Sequence, residues 1–136
     1  MTALAADINN PRRDGVEYAY PMAASVTAYM GGLAVLDASG NCKPGVAATG
    51  LTAVGIFIEQ KTNGATAAAV TVLVSPGVYR FENSAAGDAI TKAEIGDTCY
   101  IVDDATVAKT DGTGARSAAG KIVDVDANGV WVKIGI

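Results

Sequence analysis

The sequence predicts an all-β fold: a small β-barrel or β-sandwich built from two similar halves, with at most one short helix and an extended N-terminal arm. Three observations predict it. Apolar residues alternate at period two in short runs, as in Val70-Thr71-Val72-Leu73-Val74, whose valines share one face. Sixteen glycines, with many Ser, Thr, Asp and Asn, separate these runs by turns. Two stretches also repeat one order of elements: strand, Asp turn, Lys, Gly-rich loop, Gly-led strand, connector, strand. The overlay sets Leu33-Ala34-Val35-Leu36-Asp37 on Cys99-Tyr100-Ile101-Val102-Asp103, and Lys43 on Lys109. One residue of slip then sets Gly55-Ile56-Phe57-Ile58-Glu59 on Gly120-Lys121-Ile122-Val123-Asp124. Two such halves can cover each other's apolar faces.

A chain of 136 residues reads as one domain and can bury roughly two thirds of its extended surface. Residues 1–22 read as an arm and 23–136 as a single β domain, with pseudo-repeats at about 31–74 and 96–134. The first 15 residues are polar and irregular. Val16, Tyr18 and Tyr20 then alternate, and Pro21 limits further pairing, so this segment is an edge strand or an arm laid on another surface. Its tyrosines either anchor an interface or cover the domain's own core. Pro11, Arg12, Arg13, Val16, Tyr18 and Tyr20 are the candidate contact residues of the arm.

Further along, 25–30 and 33–36 are strand candidates divided by Gly31-Gly32, and Asp37 to Asn41 is turn chemistry. Lys43-Pro44-Gly45 opens a loop, 54–58 is a buried-type strand, and 61–69 is a connection. Ser75-Pro76-Gly77 marks a turn or sharp bend at a sheet edge, because Pro76 has no N–H and Gly77 tolerates positive φ. Thr91-Lys92-Ala93-Glu94 has capping-box spacing with Gly96 placed to stop a short helical turn. Strands are expected at 98–102 and from 107, with a mobile loop at 111–114. The chain closes with a hairpin whose Asn128-Gly129 favours a type I′ turn.

The chemistry is sparse. There is no histidine, which excludes His-based triads and His-containing metal sites. Cys42 and Cys99 are too few for a thiolate cluster and read as reduced, buried residues. No P-loop pattern occurs. Asp124-Val125-Asp126-Ala127-Asn128-Gly129 begins like a calcium loop, but Gly135 stands where a bidentate Glu is required. Asp103, Asp104 and Asp111 could supply an acid and a base, yet read as solvated turn residues. The Arg12-Arg13 pair could face an acidic surface or nucleic acid and otherwise is solvated. A net charge of −4 argues against direct nucleic-acid binding, and no apolar run is long enough to span a membrane. Residues 1–13 lack the pattern of a secretory signal. No cofactor is expected, and the chain is not expected to be an enzyme.

Gly77 to Phe81, Ile95 to Asp104, Ala119-Gly120 and Val130-Trp131-Val132-Lys133-Ile134 form a set of segments that resembles the bacteriophage capsid cement, or decoration, proteins. The resemblance implies a small β domain without an active site, located in the virion on the outer surface of the head after synthesis in the host bacterial cytoplasm. The partners it implies are the phage major capsid protein and two further copies of the chain, in a homotrimer at local threefold axes. An arm could add a strand to a capsid sheet edge. Trp131 could lie at a subunit interface or cap one end of a barrel. Other readings are a tail or head-completion protein, and a carbohydrate- or surface-binding module using Trp131.

Overall fold

The alternating runs form short strands in a computed structural model of the chain, which describes residues 3–7, 9–11 and 13–135. In chain order they are β1 (Tyr18–Pro21), β2 (Thr27–Ala28), β3 (Leu33–Leu36), β4 (Cys42–Pro44), β5 (Thr52–Phe57) and β6 (Lys61–Thr62). There follow β7 (Thr71–Ser75), β8 (Gly77–Asn83), β9 (Thr98–Ile101), β10 (Thr106–Ala108), β11 (Ala118–Asp126) and β12 (Gly129–Ile134). The fold is all-β. Between β8 and β9 lie two 3₁₀ turns, Ala86–Asp88 and Lys92–Glu94. The second has the expected capping box: Thr91 Oγ1 accepts from Ala93 N, Thr91 N donates to Glu94 Oε1, and Gly96 follows at φ +93°.

β1, β7, β5, β3 and β4 form one five-stranded sheet, while β10, β8, β12, β11 and β9 close into a barrel. The two units have the same wiring. In the first, β1–β7, β7–β5, β5–β3 and β3–β4 are antiparallel pairs. In the second, β8–β12, β12–β11, β11–β9 and β9–β10 are antiparallel pairs. Each circuit ends in a parallel step, β8 to β10 in the barrel and the single bridge Met22↔Cys42 in the first unit. The halves are therefore similar in hydrogen-bonding order, which goes beyond their few shared residues.

The pairings also correct the overlay. Ala34 faces Gly55, and past a bulge Val35 faces Ala53. In the barrel, Cys99 faces Gly120, and past a bulge Tyr100 faces Ala118. Gly55 does match Gly120, but Ala34 matches Cys99 and Lys43 matches Ala108. The overlay of Leu33 on Cys99 and Lys43 on Lys109 is one residue out of register. A one-residue slip exchanges the faces of a strand, and β3 is buried on both: Leu33 and Val35 enter the barrel's core, and Ala34 the core of its own sheet. Apolar composition on both faces hides the slip. The repeats also start earlier than 31 and 96, at β1 and β8.

Val72 and Val74 are buried and Thr71 is exposed, as their alternation requires. The chain then crosses from sheet to barrel at Pro76, so β7 and β8 are successive strands of different sheets and not partners. Ser117 ties the units together: its hydroxyl donates to Ala48 O at 2.7 Å and accepts from Leu51 N at 3.1 Å. Leu33 N reaches Asp104 O at 2.8 Å.

Other expectations change. Tyr18–Pro21, counted with the arm, is an edge strand along β7, so the irregular arm ends before it. Lys43-Pro44 belongs to β4, and Lys61–Thr62 pairs with β2. Only Thr27–Ala28 of the 25–30 run is a strand. The closing hairpin turns on Ala127-Asn128, both at negative φ, so it is not type I′. Asp126 Oδ1 accepts from Asn128 N at 2.7 Å and shapes that turn from outside. The 111–114 loop is a turn closed by Ala115 N and Arg116 N on Asp111 O, with Arg116 held 3.2 Å from Asp88.

Gly55 and Gly120 explain how each unit curls. A Cβ at Gly55 would run into the Ser75 carbonyl, and a Cβ at Gly120 into the Lys133 carbonyl. Ser75 and Lys133 are equivalent, because Ile56 faces Ser75 and Lys121 faces Lys133. Gly55→Ala and Gly120→Ala should each lower the unfolding free energy by about 1–3 kcal/mol, the usual cost of overpacking. Gly64→Ala, with no atom within 4 Å of the added Cβ, should stay within about 0.5 kcal/mol of the parent. Urea denaturation of the three variants measures the contrast.

Candidate interaction surfaces

The candidate arm residues separate into two groups. Pro11, Arg13 and Val16 are exposed, while Arg12 lies outside the described residues. Residues 3–7 and 9–11 are exposed and form no strand. The arm is anchored where it meets the sheet, because Ser75 Oγ donates to Val16 O at 2.6 Å. Tyr18 and Tyr20 are half-buried and stacked with ring centroids 6.1 Å apart. Tyr20 packs on the core of the first sheet. Burial raises its hydroxyl pKa, helped by Tyr18 and Cys42 and opposed by Arg13. Tyr20 thus covers this chain's own core, and Tyr18 stacks on it.

Trp131 occupies the outer face of the barrel in mid-strand, opposite Arg80 of β8 and Asp124 of β11. Its indole N–H donates to Asp126 Oδ2 at 3.0 Å, and the Arg80 guanidinium lies 5.9 Å from its ring centroid. Both the polar edge and one face are thus engaged within the chain. The Trp131 bond is the main cause that lowers the Asp126 pKa below 3.8, followed by the Asn128 amide.

A cleft lies between the two units. One wall is the loop before β3, Tyr29-Met30-Gly31-Gly32, and the other is Arg80, Phe81 and Glu82 of β8. Asp104, Ala105 and Asn128 complete a groove of ≈ 560 Å³. The loop is fixed by Gly31 N on Phe57 O at 2.7 Å and Gly32 N on Tyr29 O at 3.0 Å. Tyr29 and Met30 remain 57% and 72% exposed, a high value for large apolar side chains. The sequence signal for this surface is Tyr29-Met30 just before Gly31-Gly32, which reads equally well as the end of a strand. The opposing wall is set only by tertiary packing.

Cys42 and Cys99 are free, and burial pushes their thiols up to about 12 and about 11. Neither is a thiolate at neutral pH. Asp103 Oδ1 accepts from Ala105 N at 2.8 Å in a turn, Asp104 lines the cleft, and Asp111 closes a different loop. Asp124 is held below its usual carboxylate range chiefly by Lys92, 3.0 Å away. No cluster of three potential metal ligands occurs among the described residues, and none of their helices is long and apolar enough to cross a membrane. No family model, curated protein or solved structure matches this chain.

The Asp126 carboxylate contributes while ionised, and a folded pKa below 3.8 means that its contribution is lost only as pH falls through that lower value. Trp131 emission should therefore stay constant from neutral pH to about 4 and change only below it. Asp126→Asn should shift the emission at pH 7 and remove the acid transition. Fluorescence titration of both proteins checks this.

Proposed function

We propose that this chain is a structural virion protein that binds the outer surface of a phage head and stabilises contacts between major capsid protein subunits, as a trimer at local threefold axes. One observation carries the reading. The residues of the resemblance build the barrel: Gly77 to Phe81 lie in β8, Thr98 to Ile101 are β9, Ala119-Gly120 open β11, and Val130 to Ile134 lie in β12. The similarity therefore falls on the strands that make a rigid closed unit.

Two further features support it. The barrel and the sheet share buried strand β3, so the chain can bear load as one body. An exposed arm extends from the sheet and can reach a neighbouring subunit. A trimer on a threefold site repeats each weak contact three times and gains avidity from that repetition.

The test is the copy number in purified particles, by quantitative mass spectrometry. One trimer per local threefold axis gives a ratio to major capsid protein of about one to one. A ratio of a few per cent would place the protein in the tail or neck and reject this reading. Deleting residues 2–15 should leave the domain folded and lower occupancy on the head.

A further inference from the structure

The cleft between the units exposes a strand edge. Glu82 N donates to Ala105 O at 2.8 Å, so the backbone of Glu82 points away from β12. β8 pairs with β12 from Gly77 to Phe81 without a register shift. Alternation then turns the N–H and C=O of Arg80 and Val78 to the same side as those of Glu82. β10 covers only Glu82 and Asn83. The remainder of this edge has no strand beside it among the described residues, and Arg80 forms one wall of the cleft.

The side chains define what would fit. Met30 and Tyr29 offer an apolar wall. The Arg80 guanidinium is turned to Trp131 on the barrel face. Glu82 and Asp104 have no cationic partner among the described residues, so the cleft is acidic at that end. The occupant is therefore an extended segment with small or apolar side chains and a basic group. Residues 3–13 of this chain have that character: Ala3-Leu4-Ala5-Ala6, then Pro11-Arg12-Arg13, with Leu4 71% exposed. The Arg12-Arg13 dipeptide carries two of the chain's 10 basic residues side by side.

We propose that the cleft receives the N-terminal arm of a second copy of this chain as an added β-strand along β8, with Arg12 and Arg13 at the Glu82–Asp104 end. This deepens the homotrimer part of the function above and rests on it. The contact is head-to-tail, so three copies can close a ring. Backbone pairing at Val78 and Arg80 supplies affinity with little demand on sequence, and the charges fix direction and register.

Sedimentation equilibrium of the free protein tests this without any capsid. The full chain should be heavier than a monomer at micromolar concentration, and the chain lacking residues 2–15 should be a folded monomer by mass and circular dichroism. Glu82→Lys, Arg13→Glu and Met30→Asp, all at exposed positions, should each weaken association about tenfold. The Glu82→Lys/Arg13→Glu double variant should recover most of the loss, an outcome that misfolding cannot mimic. A full chain monomeric at tens of micromolar, an arm-deleted chain of unchanged mass, or no recovery in the double variant would overturn the proposal. If arm deletion abolishes head attachment and leaves the free oligomer intact, the arm binds the capsid: the cleft assignment fails and the virion function stands.

Discussion

Each unit of this protein depends on a place where two backbones touch. At Gly55 the neighbouring Ser75 carbonyl occupies the space of a side chain, and at Gly120 the Lys133 carbonyl does the same. A strand can approach its neighbour that closely only where no Cβ intervenes. Beside each glycine the pairing skips a residue, at Ala34/Val35 and at Ala118/Gly120. A bulge increases local twist and bends a strand. Glycine and bulge together turn a short sheet back on itself, and five strands of three to nine residues then suffice to enclose a core.

The two units differ at the step that would close them. The pairing of β1 with β7 and of β8 with β12 makes Pro21 the counterpart of Glu82. In the barrel, Glu82 N donates to Ala105 O and begins the parallel closure. Proline has no N–H to give. In the first unit only an isolated bridge remains, one residue later: Met22 lies beside Cys42, Ala23 N donates to Cys42 O at 2.8 Å, and the sheet stays open along β1. Copies of one plan thus become unlike parts: a closed barrel that presents Trp131 and Arg80, and an open sheet that carries the arm.

Polar and reactive groups are largely absorbed by the fold. The cysteines sit in separate cores with raised pKa values. Asn63 is buried and donates to the carbonyls of Met22, Ala23 and Thr66, and Asn83 holds Ile90 through both its amide atoms. What remains outward are an edge, a cleft and an arm, and these suit binding between large surfaces. The proposed virion function and the proposed arm exchange both draw on those features.

The sequence by itself determined the all-β class, the Leu33–Leu36 strand, the capping box at Thr91 and the equivalence of Gly55 with Gly120, because period-two alternation, caps and glycines act through near neighbours. It set β3 on β9 one residue out of register, since both faces of β3 are apolar. It misplaced the final turn by one residue, since the Asp126 carboxylate caps Asn128 N and competes with the intrinsic preference of Asn-Gly. It joined Tyr18 and Tyr20 to the arm, because an edge strand and a free extended segment look alike until a partner such as β7 is known. The cleft was invisible at that level. Its two walls, Tyr29 to Gly32 and Arg80 to Glu82, come from different units, and only the packing of sheet on barrel brings them face to face.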